Sequence, residues 1–238
     1  RMLFLGRLMT LLKRFFRYFS KCEIALWGTS ILLVLISFFL FDRENYLTLI
    51  ASIIGVTSLI FCAKGNPFGE VLMVLFSVIY AIISYTFAYY GEMITYLGMT
   101  LPMSVFALVS WLRNPYNENR AEVKVNALSR GEVMFMWVLT ALLTVIFYFV
   151  LGHFGTANLI PSTISVTTSF VAAYLTFRRS PYFALAYAAN DLILIVLWVL
   201  ASISDIKYIS VTVCFIAFFA NDIYGFVNWQ KMKKRQGV

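Results

Sequence analysis

Charged residues and histidine are both scarce in this sequence. Charged side chains make up 13% of its 238 residues and hydrophobic ones 61%, whereas soluble domains have about 25% charged and about 45–50% apolar residues. The composition therefore predicts a protein with many membrane-spanning segments. The single histidine, His153, excludes multi-histidine metal sites and most Ser-His or Cys-His nucleophile arrangements.

Cysteine is almost as rare. Cys22, Cys62 and Cys214 are an odd number at wide spacing, so they indicate neither a disulfide framework nor a CxxC metal site, and we expect small buried residues instead.

A Walker-type glycine loop is also missing, so ATP hydrolysis is not predicted. We expect no metal, no cofactor and no enzymatic activity.

Eight apolar segments are long enough to cross a bilayer, which takes about 20 residues per helix. They lie near 24–41, 46–63, 68–89, 92–112, 132–151, 157–177, 182–203 and 207–229. The polar breaks between them are short, apart from residues 113–131. The sequence therefore predicts an all-α integral membrane protein with about eight transmembrane helices.

The basic residues predict the orientation of these helices. If both termini are inside, 17 of the 19 Lys and Arg residues lie in cytoplasmic segments, and only Arg43 and Lys207 lie outside. Cytoplasmic loops are enriched in basic residues, so we predict that both termini are cytoplasmic. The net charge of +8 is then an orientation signal, and no nucleic-acid partner is implied.

Two parts of the chain resemble each other. The segment TLIASIIGVTS (48–58) matches NLIPSTISVTT (158–168), and ALVSW (107–111) matches GFVNW (225–229). The second to fourth spans therefore resemble the sixth to eighth spans, which indicates an internal repeat. Because one span links the two repeats, both have the same orientation in the membrane, and the substrate site is expected near the midplane between them.

The predicted organisation has six parts. They are a basic interfacial helix (1–23), an extra N-terminal transmembrane helix (24–43), a first three-helix repeat (44–112), a cytoplasmic loop with the linking helix (113–156), a second three-helix repeat (157–230) and a basic cytoplasmic tail (231–238). The first part mixes basic and large apolar residues at helical spacing, as membrane-surface helices do. A frayed basic tail is the alternative interpretation.

Polar residues interrupt the last two spans at helical spacing. One face of the seventh span carries Phe183, Tyr187, Asn190 and Asp191, and one face of the eighth carries Asn221, Tyr224 and Asn228. An amide in lipid is costly, so both faces must point into protein or a wet cavity. Such residues can simply join helices, but aromatic rings with amides also suit a flat, hydrogen-bonding, uncharged solute. Tyr80 and Ser104 are further candidates.

Each of two asparagines is followed by an aspartate, Asp191 or Asp222. Adjacent helical positions point about 100° apart, so Asn and Asp cannot both face one ligand. We predict that Asn190 and Asn221 face the solute path, while the aspartates bond neighbouring helices and fix the asparagine rotamers. The alternative is that the aspartates carry protons, as buried carboxylates do in some transporters.

Several motifs resemble those of the PnuC-type nicotinamide riboside transporters, which are bacterial relatives of the SWEET architecture. They are AKGN, SYTFAYYGE, LPM followed by W, and AND followed by ND.YGFVNW, within residues 44–230. The resemblance implies a facilitator in the bacterial cytoplasmic membrane that passes an unphosphorylated nucleoside, which a cytoplasmic kinase then traps. Asn190, Asn221, Tyr224 and Trp229 match positions of the family pattern. The resemblance implies that the two asparagines hydrogen bond the substrate and that Tyr224 stacks on it or bonds it.

Three places depart from the family pattern. Ser104 stands where the family has a glutamine, Phe183 and Ala186 where a tryptophan pair is expected, and Phe76 where an asparagine is expected. We expect nicotinamide riboside as the substrate, with a deoxynucleoside or thiamine as the alternatives. A proton-coupled importer and a substrate-capture subunit of a larger importer are less favoured. A homo-oligomer, such as a trimer, is compatible with the resemblance.

Overall fold

The computed structural model describes residues 17–86, 90–156 and 158–238. Within them, eight helices are long and apolar enough to cross a membrane, which confirms the predicted all-α membrane fold. The helices are α1 (Lys21–Phe41), α2 (Tyr46–Ala63), α3 (Phe68–Thr86), α4 (Tyr90–Leu112), α5 (Arg130–His153), α6 (Leu159–Phe177), α7 (Phe183–Ser204) and α8 (Ile209–Gln236). A 3-10 turn (Ile206–Tyr208) precedes α8, and a short hairpin of β1 (Pro115–Tyr116) and β2 (Asn119–Val123) follows α4.

Two helices begin at capping boxes that the sequence contains. Ser20 caps α1 and Ser129 caps α5. In both helices the glutamate three residues after the serine accepts a hydrogen bond from the backbone N–H of that serine. α1 therefore begins at Lys21, slightly before the predicted residue 24. Most of the predicted interfacial helix, residues 1–16, lies outside the described residues.

A π-helical turn interrupts α4 at Tyr96–Thr100. Pro102 lies just after it and has no backbone N–H to continue the regular ladder. Leu101 instead donates its N–H to the carbonyl of Tyr96, which gives the wider turn. The sequence analysis treated this segment as a regular span. The π turn places the Tyr96 side chain toward the centre of the bundle.

α8 lies at the centre of the helix packing and contacts α1, α2 and α7. α3 packs against α2 and α4, while α6 packs against α4, α5 and α7. α5 is peripheral and exposes large apolar residues such as Met134, Trp137 and Phe149, as expected for a helix that faces lipid.

The loops gather at two ends of the bundle. At the end that carries the hairpin, the N–H of Val123 bonds the carbonyl of Gly65 (2.9 Å) and the N–H of Asn126 bonds that of Arg179 (3.0 Å). Gln236 also accepts the N–H of Val125 at 2.7 Å, and α8 continues past its predicted end at residue 229. The segments predicted to be cytoplasmic therefore meet at this end, which we call the hairpin end.

The opposite end holds the α1–α2 and α7–α8 connections. They are linked by an ion pair of 3.7 Å between Lys207 Nζ and Glu44 Oε2. Lys207 is one of the two basic residues that the sequence analysis placed on the extracellular side. The two groups of loops are thus separated as the charge pattern predicts, and the side of the membrane that each faces remains a prediction.

Candidate functional site

A cavity of about 110 Å³ lies inside the bundle; we call it the central cavity. Its polar and aromatic wall comprises Phe76, Tyr80, Glu92, Thr95, Tyr96, Thr100, Thr156, Ser162, Ser165, Ser169, Tyr187, Asn190, Asp191, Trp198, Phe215, Phe218 and Asp222. The remaining wall is aliphatic. These residues come mainly from α3, α4, α6, α7 and α8. A few polar groups among aromatic rings are typical of a small-molecule site.

Asn190 lies on the wall of this cavity, as predicted, and is only 6% exposed. Its Oδ1 accepts hydrogen bonds from Thr168 Oγ1 at 2.8 Å and Ser165 Oγ at 3.3 Å. Hydroxyl groups of α6 therefore orient the Asn190 side chain. The sequence analysis assigned that role to the neighbouring aspartates, because it did not identify which helix packs against this face.

Asp191 and Asp222 also line the central cavity and are 3% and 4% exposed. Asp191 on α7 and Asp222 on α8 thus face the same space from neighbouring helices. The predicted bonds from the aspartates to neighbouring helices stay a prediction. The same analysis turned the aspartates away from the solute path, however, and the structure places both on the cavity wall.

Asn221 and Tyr224 do not line the central cavity, contrary to prediction. Asn221 Nδ2 donates to Ser30 Oγ at 2.9 Å, and the Tyr224 hydroxyl donates to Glu23 Oε1 at 2.9 Å. Both partners belong to α1, the helix that the sequence analysis placed outside the predicted repeat. The face of α8 was correctly identified as one that must be buried, but it is buried against α1 rather than against a solute.

Three further candidates lie outside the cavity wall. Asn228 Nδ2 donates to the carbonyl of Ala63 at 2.7 Å and so joins α8 to α2. Phe183 is buried with its ring centroid 4.9 Å from that of Trp229. Ser104 is buried within α4, 5% exposed. Tyr80 and Tyr187, in contrast, do line the central cavity.

The sequence analysis missed Glu92, Tyr96 and Trp198, which all line the cavity. The ring centroids of Tyr96 and Tyr80 are 4.7 Å apart. Tyr96 is turned inward by the π turn, for which Pro102 was the available signal. Glu92 opens a predicted span, where a carboxylate is usually attributed to the membrane boundary.

A second cavity, of about 250 Å³, lies toward the end opposite the hairpin; we call it the vestibule. It shares Tyr80, Glu92 and Trp198 with the central cavity, so these side chains form the partition between the two. The rest of its lining is Asp42, Glu44, Asn45, Thr48, Ile83, Ser84, Asp205, Lys207, Tyr208 and Val211. The two cavities together trace a path from one end of the bundle to its middle.

Comparison with known proteins identifies the fold and the family. The family model described as nicotinamide mononucleotide transporter matches residues 45–231. The chain belongs to this family of membrane transporters. The transporter is therefore a multi-pass membrane protein and not an enzyme, as the sequence analysis predicted.

Two relatives named nicotinamide riboside transporter PnuC are similar along most of the chain. The one from Neisseria mucosa is 26% identical over 215 residues, covering 89% of this chain and 82% of the relative. The one from Haemophilus influenzae is 23% identical over 193 residues, covering 81% and 82%. A crystal structure of the vitamin B3 transporter PnuC superposes with a TM-score of 0.78 at 22% identity, covering 92% and 94%.

In this transporter, a buried aromatic cluster closes the hairpin side of the central cavity. Trp111 and Trp229 are fully buried, with ring centroids 5.4 Å apart, and both contact Phe183. Phe183 lies one helical turn before Tyr187, which lines the cavity. The described residues on the hairpin side of the central cavity are thus closely packed, and the partition of Tyr80, Glu92 and Trp198 separates the centre from the vestibule.

Proposed function

We propose that this transporter carries nicotinamide riboside passively across the bacterial cytoplasmic membrane. The observation that carries the proposal is the central cavity, in which the Asn190 amide lies among the rings of Tyr80, Tyr96 and Trp198. Nicotinamide riboside has a flat ring, a carboxamide and ribose hydroxyls, so it needs both aromatic contact and hydrogen bonding. The names of the relatives support the same solute.

Asn190 and Tyr187 are the proposed hydrogen-bonding groups. Thr168 and Ser165 already hold Asn190 Oδ1, so the amide is preorganised before a solute arrives, which reduces the entropic cost of binding. Tyr80 and Tyr96 supply the stacking surface. Asn221, Tyr224, Asn228, Ser104 and Phe183 act on the solute only indirectly, through the helices that they hold together.

The proposal includes the orientation and the fate of the solute. Both termini lie in the cytoplasm, because 17 of 19 basic residues then follow the positive-inside rule. The vestibule then opens to the outside. A cytoplasmic kinase traps the riboside by phosphorylation, so net uptake needs no energy input at the transporter. A homo-oligomer, such as a trimer, belongs to the proposal and would be tested by the mass of the purified particle.

Uptake by the purified protein tests this proposal. Vesicles that contain only this protein should take up labelled nicotinamide riboside saturably, and protein-free vesicles should not. Unlabelled riboside should compete. No uptake above the protein-free control, in vesicles where the protein is folded, would refute both the substrate and the absence of further subunits.

A second candidate solute is a deoxynucleoside or thiamine. The observation that favours it is Phe76, which lines the central cavity at a position where the resemblance predicts an asparagine. A phenylalanine cannot form the hydrogen bond that an asparagine at this position could form with a riboside. Competition of thymidine and thiamine against labelled nicotinamide riboside in the same vesicles separates these solutes.

A further inference from the structure

Acidic side chains are concentrated along the two adjoining cavities. Six of the eleven acidic residues of the chain line the vestibule or the central cavity: Asp42, Glu44, Glu92, Asp191, Asp205 and Asp222. They extend from the mouth of the vestibule, through the partition, to the centre of the bundle. Carboxyl groups in such a low-dielectric cleft focus the electric field.

Basic residues are nearly missing from the same path, although the whole chain has 19 of them. Among the described residues that line the central cavity, there is no Lys, Arg or His. The vestibule has one, Lys207, which pairs with Glu44 at 3.7 Å. The described lining of the two cavities therefore has more acidic than basic residues, in a protein whose net charge is positive.

Asp191 gives an independent indication that a ligand belongs here. This side chain is 3% exposed and lines the central cavity, yet its Oδ2 has no hydrogen-bond partner among the residues that the structure describes. A buried carboxylate oxygen without a partner is costly. Asp222 lines the same wall, so carboxyl groups from both α7 and α8 face the central cavity.

We propose that the central cavity recognises its solute as a cation, with the Asp191–Asp222 pair as counter-charge to the pyridinium ring of nicotinamide riboside. This inference rests on the proposed function. The rings of Tyr80, Tyr96 and Trp198 add the aromatic faces that favour a flat cation. The acidic vestibule raises the local concentration of the same cation and so steers its entry. The uncharged solute expected from the sequence is replaced by a singly positive one.

The first test needs only the unmodified protein. Calorimetric titration of the purified transporter would compare nicotinamide riboside with its dihydro form, which has nearly the same shape but no charge on the ring. We expect the cationic form to bind about tenfold to a hundredfold more tightly. Equal affinities for the two forms would overturn the charge proposal and leave nicotinamide riboside as the solute.

Two variants and one control locate the charge. Asp191→Asn and Asp222→Asn should each weaken binding of the cationic form about tenfold or more, while binding of the dihydro form changes less than about threefold. The matched control is Glu70→Gln. Glu70 is a buried carboxyl, 3% exposed, that lines neither cavity, so its neutralisation should not change the ratio of the two affinities. An unchanged ratio in both Asp variants, with folded protein, would overturn the assignment.

Thiamine and thymidine complete the panel and separate the two proposals. Thiamine is a cation and thymidine is neutral. If thiamine binds and nicotinamide riboside does not, and Asp191→Asn weakens thiamine binding, the proposed substrate is wrong and the charge proposal stands. If thymidine binds more tightly than both cations, the charge proposal fails together with the proposed substrate.

Discussion

Trp111 and Trp229 make the same hydrogen bond, each to a carbonyl in the other half of the chain. Trp111 Nε1 donates to the carbonyl oxygen of Thr176 at 2.8 Å, and Trp229 Nε1 donates to that of Cys62 at 2.8 Å. Trp111 lies at the end of α4 and Trp229 lies within α8, before the extension of that helix at the hairpin end, and the acceptors lie near the ends of α6 and α2. Reciprocal bonds of this kind are what two parallel repeats produce where they meet.

The turns after α2 and α6 show the same correspondence. Gly65 and Arg179 both have positive φ, 66° and 56°. Their N–H groups bond the carbonyls of Cys62 and Thr176, each at 2.9 Å. The left-handed conformation is easy for Gly65 and unusual for an arginine. These shared details support the repeat, which remains a prediction.

Loss of the indole hydrogen bonds should lower stability. Trp111→Phe and Trp229→Phe each remove one of the hydrogen bonds that the carbonyls of Thr176 and Cys62 accept, which costs about 0.5–1.5 kcal/mol. Because the two rings are in contact, the double variant should not show additive losses. Thermal unfolding in detergent would measure this. Trp137→Phe is the control, because Trp137 is 55% exposed and should change little; a loss there as large as at Trp229 would contradict the assignment.

Asn190 and Asn221 should respond differently to the same substitution. Asn190→Ala removes a hydrogen-bonding group from the cavity wall and should weaken riboside affinity about 5–150-fold. Asn221→Ala breaks the bond to Ser30 and should lower the melting temperature with little change in affinity. Ser30→Ala should reproduce the effect of Asn221→Ala, since it removes the other partner. Equal affinity losses at both asparagines would show that Asn221 reaches the solute after all.

Gly69 should not tolerate a methyl group. A Cβ at this position would lie 2.7 Å from the backbone N of Cys62 and 2.9 Å from the carbonyl oxygen of Ser58. Helices α2 and α3 would have to separate, at a cost of about 1–3 kcal/mol. Gly28→Ala is the matched control, because nothing lies within 4 Å of its Cβ. A Gly69→Ala protein as stable as Gly28→Ala would contradict this packing.

The orientation can be tested by cysteine labelling of intact cells. Cys22 is exposed, so the measurement starts from Cys22→Ser to remove background. A membrane-impermeant maleimide should then label Glu44→Cys from outside, and label Arg120→Cys or Lys234→Cys only after lysis. Labelling of Glu44→Cys and Arg120→Cys from the same side would refute the eight-span topology with both termini inside.

The sequence predicted the spans well, because length and apolarity decide whether a helix crosses a membrane. It also predicted that the polar faces of α7 and α8 are buried. It could not predict what buries them, because the spacing of the polar residues shows which side of the helix they share but not which other helix packs against that side. Asn190 lies on the cavity wall, whereas Asn221 bonds Ser30 on α1, a helix predicted to lie outside the repeat.

Two features of the site had only weak signals in the sequence. The inward position of Tyr96 depends on the π turn, which follows from Pro102, but a proline near the middle of a span fits several helix distortions. The cavity-facing positions of Asp191 and Asp222 depend on the rotation of α7 against α8. Adjacent residues on a helix point about 100° apart, and only packing decides that Asn190 and Asp191 both reach the cavity wall while Asn221 does not.

Passive transport is the property on which the proposal depends, and it can be measured directly. Vesicles containing only this protein would receive an imposed pH gradient, with the membrane potential clamped at zero so that the charge of the solute does no work. We predict that labelled nicotinamide riboside reaches the same concentration inside and outside, with or without the gradient. Accumulation that follows the pH gradient and disappears in Asp191→Asn or Asp222→Asn would show that these carboxyl groups carry protons, and would contradict passive transport.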